Sequence, residues 1–486
     1  MIRTATGGPH GPVLRGIGIL LHVPAAMAVL SIPVALLFGE TAGVGALAIT
    51  FICALALGQL LFWSCHDAAE TRRRHAFLIA ALSWLAVSTL GALPFYLSGH
   101  AAYAQPLDAL FESLSGFTTT GISLVADPAT LPAHLQWWRS FSEWVGAVGV
   151  IVVMLSVLPT HQSALALYRS EARRQKILPS VRTTVQAIWS IYLIYTGLAI
   201  SLLWLLGEPL WQAVNHGMTA IATGGFTVVA DPITDAGPAR QLAYGLITIM
   251  GAIGFALHYR FIRSGRGLFS GLEARSFWWI LLGGALLITL ENALAAPDVA
   301  WSESLFVWVM AVTTAGFAHG DVSAWPPLTL MLLTLAVTLG AMAGSTSGGL
   351  KLARLVTLFK AIGWSLTAAA RSPHQVMRYM MDGEALTRAE AGERVRAATT
   401  LTIGWLLLAL AGLFAMLHFV PADTPLGSTL FEVFAIQSNT GMSADAIDYD
   451  TLPAGGKLVA MLLMWTGRLE IVPVMVMIAL IIERRR

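Results

Sequence analysis

Ser115-Gly116-Phe117-Thr118-Thr119-Thr120-Gly121-Ile122-Ser123 is an odd run for so apolar a chain, with consecutive threonines and a glycine between a short helical segment and a polar loop. The pattern returns as Ala222-Thr223-Gly224-Gly225-Phe226, Thr313-Thr314-Ala315-Gly316-Phe317 and Ser438-Asn439-Thr440-Gly441-Met442. Each copy places small or polar residues before one glycine and a bulky apolar residue after it. Taken singly, any of them reads as a turn or a helix-packing spot, because glycine is common in membrane helices. Four copies in register ask for a shared role.

The register extends beyond the motifs. Phe111, Phe306 and Phe431 each lie ten positions before Gly121, Gly316 and Gly441, and Asn215 takes that place before Gly225. Ala126-Asp127-Pro128 and Ala230-Asp231-Pro232 follow Gly121 and Gly225 at the same offset. Around each motif a long apolar helix, a shorter helix, the motif and another long helix follow in turn. Aligned copies spaced by about a hundred residues point to duplication and pseudo-fourfold symmetry.

Composition sets the medium. Of 486 residues 56% are hydrophobic and 12% charged, against about 25% charged in soluble domains. So little polar surface cannot cover a soluble fold, and the chain reads as an all-α polytopic membrane protein. Cys53 and Cys65 are too few for a disulfide framework. The apolar run 17–38 is long enough to cross a bilayer and longer than a signal-peptide core, so it is expected to be a helix.

The expected division is 1–74, two transmembrane helices; 75–180, 181–275, 276–392 and 393–486, one helix–motif–helix unit each. Of the 29 Lys and Arg, 25 fall in the N-terminal, inter-unit and C-terminal segments; Arg139, Arg240, Lys457 and Arg468 do not. The positive-inside rule then puts both termini in the cytoplasm and all four motifs near the outer face. Ten spanning helices and four re-entrant half-helices fit that topology.

Non-helical backbone survives at membrane depth only inside protein or against a water-filled cavity. Four re-entrant segments meeting at an axis would present carbonyls that replace an ion's hydration shell. Glycine supplies the backbone freedom, and threonine hydroxyls add acceptors. Asp127 and Asp231 fit either a cation-concentrating mouth or a plain turn before proline.

A second irregular stretch lies in the third unit: Gly340, Gly344, Ser345, Thr346, Ser347, Gly348 and Gly349, followed by Leu350 and Lys351. Such glycine density cannot sustain a helix, so this segment is expected to break one inside the membrane and serve as a gate, or else to be a close-packing face. It lacks the lysine placement of a phosphate-binding P-loop. Arg468 is expected about ten residues into the last apolar helix, where a charge usually faces a cavity or a partner. No zinc-binding His or Cys spacing is present, and the 371–396 loop carries no enzyme motif, so no enzymatic activity is expected.

With Trp144-Val145-Gly146-Ala147-Val148-Gly149-Val150, Gly251-Ala252-Ile253-Gly254-Phe255-Ala256-Leu257-His258-Tyr259, the Gly344–Lys351 segment and Gly467-Arg468-Leu469-Glu470 added to the motifs, the chain resembles the Trk/Ktr/HKT superfamily of potassium transporters, specifically the bacterial TrkH type. The resemblance implies four M1-P-M2 units around one pore in the bacterial inner membrane. It implies potassium uptake, with the ion held at Thr119, Thr120, Thr223, Gly224, Thr314, Ala315, Asn439 and Thr440. It also implies a homodimer docked on a cytosolic ring of TrkA-type subunits, which would carry the nucleotide site that this chain lacks. Obligatory coupling to H⁺ or Na⁺ remains an alternative, and a non-transporting scaffold or enzyme a remote one. Asn439, Gly224, Ala147 and Ala252 depart from the family pattern and bear on fine selectivity.

Overall fold

The computed structural model describes residues 10–69, 71–149, 181–234, 236–317, 319–320, 322–370 and 377–483. The chain opens with α1 (Gly11–Leu20), α2 (His22–Leu37) and α3 (Thr41–Ser64), which pack on one another. Next come α4 (Arg73–Gly91), α5 (Leu93–Leu97), α6 (Pro106–Phe117) and α7 (Ala133–Val148). The next unit holds α8 (Val181–Leu205), α9 (Leu210–Ala222), α10 (Pro238–Ala252) and α11 (Phe255–Ser264). It is followed by α12 (Leu272–Ala295), α13 (Trp301–Thr313), α14 (Pro327–Leu339) and α15 (Leu352–Ala370). A two-stranded hairpin, β1 (Tyr379–Met381) and β2 (Glu384–Leu386), precedes α16 (Arg388–Met416), α17 (Leu426–Gln437), α18 (Ala454–Arg468) and α19 (Val472–Glu483).

The short helices α6, α9, α13 and α17 begin and end within one residue of 107–116, 209–221, 302–312 and 427–437, the bounds that the sequence pattern leads one to expect. Proline marks each start, or the entry to it, at Pro106, Pro209 and Pro425, with Ala300 in that place before α13. A proline there costs nothing because the first helical N–H groups have no partner in the helix. Each of these helices is buried through its C-terminal half. The long helices wrap them and expose apolar side chains outward: Leu282, Leu286 and Leu290 on α12, and Leu407 and Phe414 on α16, are all more than half exposed. That inside-out pattern fits lipid as the outer solvent.

Among the described residues seven helices are long and apolar enough to span a bilayer, and nine if each of two bent pairs is one span. Ten were expected. The two bent pairs are segments that the sequence suggested were continuous, and the helix expected over 136–158 runs beyond the described residues and is not in this count. The 240–262 segment bends by 100° between α10 and α11, and the 458–482 segment by 108° between α18 and α19. The 326–362 segment is interrupted from 340 to 351, as its glycines foretold. The end of the helix expected over 136–158, Val150, the basic run from Arg169 to Lys176, Arg371 and Arg484–Arg486 lie outside the described residues. In the segment expected as a loop up to Arg396, α16 instead starts at Arg388, because Thr387 and Glu390 form a reciprocal capping box.

Close helix contacts rest on glycine. A Cβ on Gly284 of α12 would collide with the Trp308 indole of α13, whose Nε1–H donates to the Leu281 carbonyl at 3.0 Å. Elsewhere a carboxylate does the joining. Glu40, at the α2–α3 corner, accepts the backbone N–H groups of Ala133 (2.7 Å) and His134 (2.9 Å) and contacts the His134 ring at 2.5 Å. It thereby caps the open N-terminus of α7.

Burial pushes the Glu40 carboxyl up, but the hydrogen bonds from His134 and Ala133 outweigh it and hold it below 4.5. A depressed folded-state value means that this contact stabilises at neutral pH and is lost as pH falls below that range. Detergent-solubilised wild type should therefore lose more thermal stability than Glu40→Gln when pH is lowered from neutral to about 4. Parallel losses in the two proteins would remove Glu40 from the acid response.

Candidate functional site

Each of the four short helices ends in the same backbone turn. After α6 the Thr120 N–H donates to Ser115 O at 2.9 Å and the Thr119 N–H to Gly116 O at 2.9 Å. The same pair recurs as Gly224 to Thr219 and Thr223 to Ala220, Ala315 to Met310 and Thr314 to Ala311, and Thr440 to Ala435 and Asn439 to Ile436. This is a Schellman closure, which requires a left-handed residue that is usually glycine. Here Thr119, Thr223, Thr314 and Asn439 adopt it, with φ of 56°, 52°, 55° and 52°. Two residues later Gly121, Gly225, Gly316 and Gly441 are left-handed again, at 77°, 90°, 73° and 66°.

The second set of turns brings the segments together. A Cβ on Gly121 would collide with the carbonyl oxygen of Gly224, on Gly225 with that of Ala315, on Gly316 with that of Thr440, and on Gly441 with that of Thr120. The contacts run through all four segments and return to the first, closing a ring. Thus the residues singled out in the sequence come together, and the glycines have two independent reasons to be glycine: φ and space. Thr118, Ala222, Thr313 and Ser438 end the helices beneath the turns. Ile122, Phe226, Phe317 and Met442 are buried behind them.

The ring is braced by buried polar side chains that hydropathy did not single out. Glu112 of α6 accepts from the Ser123 hydroxyl (2.9 Å), the Leu124 N–H (3.0 Å) and Arg139 Nε (2.7 Å). Glu432 of α17 holds the matching positions, Ser443 (2.8 Å) and the Ala444 N–H (2.9 Å), together with Ala446 and Tyr449. In the second unit His216 Nε2 accepts the Val228 N–H at 3.1 Å. All three lie nine positions before the motif glycine, one after the registered Phe111, Asn215 and Phe431, so the same alignment would have exposed them. Glu143 of α7, fully buried, accepts the Phe226 N–H at 3.2 Å and abuts Gly224. Arg139 lies over the Phe226 ring at 4.1 Å and donates to Thr227 O at 2.8 Å, tying the first unit to the second. Lys457 pairs with Asp108 at 2.7 Å, tying the fourth to the first.

Asp127 and Asp231 each close a turn. Asp127 Oδ1 accepts the Ala129 N–H, and Asp231 Oδ1 accepts those of Ile233 and Thr234. Burial pushes the Asp231 carboxyl up, and the Thr234 and Ile233 hydrogen bonds more than reverse this.

The irregular stretch of the third unit lies against the ring. Gly348 N–H donates to Thr314 Oγ1 at 2.7 Å, Gly349 N–H to Ser438 O at 3.1 Å, and Thr346 Oγ1 to Ile221 O at 3.1 Å. Thr223 Oγ1 contacts Thr346 Oγ1 at 3.3 Å. Gly340, Gly344, Gly349 and Lys351 are left-handed, and Ser345 and Ser347 bond through their hydroxyls at 2.7 Å. Lys351 Nζ donates to the Ser347 carbonyl.

Arg468 is the last residue of α18 rather than a mid-helix residue, because Glu470 and Ile471 turn left-handed directly after it. Its guanidinium reaches Thr119 Oγ1 and Thr346 O, each at 3.1 Å, and the carbonyls of Gly146 (2.8 Å) and Ala147 (3.0 Å). One side chain therefore joins the first motif, the irregular loop and the end of α7. Glu470 pairs separately with Arg354 of α15. Among the described residues, no group of three or more His, Cys, Asp or Glu could hold a metal ion.

The family model for TrkH, described as a cation transport protein, matches residues 45–280 and 295–485. The chain belongs to the TrkH family. It is a transport protein, not an enzyme. It is 31% identical over 484 residues to the Trk system potassium uptake protein TrkH of Halomonas elongata, covering 96% of this chain and 97% of that one. An uncharacterized cation transporter of Methanocaldococcus jannaschii is 32% identical over 408 residues, 83% of this chain and 82% of its own length. The crystal structure of the potassium transporter TrkH from Vibrio parahaemolyticus superposes with a TM-score of 0.82 at 26% identity, covering 96% of this chain and 98% of that one.

Gly316→Ala tests the ring directly. The methyl group meets the Thr440 carbonyl in a left-handed conformation, and the combined strain should lower cation flux in vesicles roughly tenfold or more. Unchanged flux from normally inserted protein would show that the close approach is dispensable.

Proposed function

We propose that this chain is the membrane subunit of a bacterial potassium uptake system and that the ring of motif segments is its selectivity filter. The observation that carries this reading is the cyclic contact of each motif glycine with the carbonyl of the next segment. Carbonyls held in a ring by backbone packing offer a cation preplaced oxygen ligands in exchange for its water. Thr119, Thr120, Thr223, Gly224, Thr314, Ala315, Asn439 and Thr440 supply the carbonyls of that ring and its lower tier. Thr440 Oγ1 is buried with no hydrogen-bond partner among the described residues, as suits an extra ligand. The Trk system names carried by relatives of nearly full length support potassium as the cargo.

The loop from Gly340 to Gly349 acts as the gate, latched to the filter base by Thr346 and Gly348 and to the pore wall by Arg468. Transport is channel-like: the ion passes when the loop withdraws, and Arg468 opposes cations until then. The chain sits in the inner membrane with both termini in the cytoplasm, follows the unit boundaries given above, and works as a homodimer on a cytosolic regulatory ring that binds the nucleotide.

Expression in a bacterium lacking its own uptake systems should restore growth at low potassium. Failure by a well-expressed protein would overturn the reading. Arg468→Ala removes the link between filter, loop and α7, and should raise potassium flux or make it less dependent on regulation. Flux equal to wild type in both respects would leave Arg468 a structural residue.

A further inference from the structure

The elbow between α10 and α11 carries a feature that ion passage by itself does not require. α11 turns by 100° from α10. If α10 follows a membrane-crossing course, α11 lies close to the bilayer plane. The next spanning helix, α12, starts at Leu272, so α11 sits at a bilayer face, the cytoplasmic one in the orientation proposed above. Its residues divide by side, with Phe261 (43% exposed) and Ile262 (60%) on one face and Arg260 and Arg263 on the other. Arg266 and Phe269 (66% exposed) extend the same pairing into the following turn. Arg263 lies over the Tyr259 ring at 5.5 Å. Among the described residues no carboxylate ion pair includes Arg260, Arg263 or Arg266. A short helix with exposed aromatic and branched side chains on one face and arginines on the other suits the boundary between acyl chains and acidic headgroups.

The same elbow holds the irregular loop. Met342 N–H donates to Ala252 O at 3.2 Å, Thr346 N–H to Gly251 O at 3.1 Å, and Phe255 N–H to Gly344 O at 3.1 Å. A Cβ on Gly254 would come within 2.6 Å of the Ala343 carbonyl, so the two backbones touch there. Two of these bonds anchor the loop on the end of α10, and the Phe255 bond with the Gly254 contact joins the start of α11 to the loop directly, so a displacement of α11 reaches the loop there.

We infer that α11 and its following turn form a binding surface for acidic phospholipid headgroups of the inner leaflet, and that its occupancy positions the loop beneath the ring. The second half rests on the proposed gating role of the loop, and the first only on the proposed orientation of the chain. The test uses the full chain as wild type, as Arg260→Gln/Arg263→Gln/Arg266→Gln, and as the corresponding triple lysine variant. Mass spectrometry of detergent-solubilised protein should show phosphatidylglycerol retained in preference to phosphatidylcholine by wild type and the lysine variant. The glutamine variant should lose that preference by roughly tenfold or more. In vesicles, potassium flux should rise several-fold when phosphatidylglycerol is added to phosphatidylcholine, and stay flat for the glutamine variant. Equal retention by wild type and glutamine variant overturns the lipid site, and loss of a soluble protein partner in its place would identify the surface as a protein dock. Flux insensitive to phosphatidylglycerol in wild type overturns the link to the loop. Because retention is read without transport, it stands apart from whether potassium is the cargo.

Discussion

The fold depends on one steric condition: four backbone segments approach so closely that a methyl group on any of the four glycines would strike a neighbouring carbonyl. Backbone polar groups can leave helices at membrane depth only when protein satisfies them, and this condition explains much of the surrounding chemistry. Glu112, Glu432 and His216 accept N–H groups of the chain leaving the ring, and Glu143 accepts one from beside it. Buried carboxylates are costly unless hydrogen-bonded, and these are bonded to the backbone whose position matters. The same residues that remove unsatisfied donors also tie the chain leaving the ring to the short helices that enter it.

A second layer of constraint lies against the first. The loop from Gly340 to Lys351 has no helical ladder, yet its N–H groups reach carbonyls of α10, α14 and the fourth motif, as well as the Thr314 hydroxyl. Arg468 meets four acceptors from three parts of the chain. A guanidinium so placed offsets its desolvation with geometry that a lysine ammonium lacks. Most of the loop's bonds to the rest of the chain end on the motifs or on the helices beside them, and Ala343 N–H adds one to Glu273 of α12, so the loop is seated on the ring and on the helix behind it.

The sequence disclosed what depends on hydropathy and glycine spacing. The short helices, the four motifs and the break after Leu339 were legible because each is an interruption of an apolar run. The bends at Ile253 and Leu469 were not, since the apolar runs continue on both sides of Gly251–Gly254 and of Arg468–Glu470 and neither place carries a proline or a dense glycine cluster. Arg468 showed as a charge in an apolar stretch, but its position at a helix end depends on Glu470 and Ile471 turning left-handed, which is unusual for either residue. Glu112, His216 and Glu432 shared an offset open to inspection. Phenylalanine drew the eye first, although the residue after it carries the hydrogen bonds. The start of α16 was announced by Thr387 and Glu390, a signal that a charge-rich segment masks.

The left-handed residue that ends each short helix raises a question of cost. Glycine would adopt the turn freely, whereas Thr119, Thr223, Thr314 and Asn439 each give up about 1–2 kcal/mol to do so. Their side chains show what is gained. Thr119 accepts from Arg468, Thr223 and Thr314 meet Thr346 and Gly348 of the loop, and the Asn439 amide donates to Met464 O and Thr120 Oγ1, each at 2.9 Å. A hydrogen bond returns about 1 kcal/mol, so each position comes out near balance rather than stabilised. Stability alone would thus leave glycine a competitive choice at all four positions. What glycine cannot supply is a side chain reaching from the base of the ring to the elements beside it. The strained turns are best understood as the points where the ring is fastened to the loop and to the helix that carries Arg468.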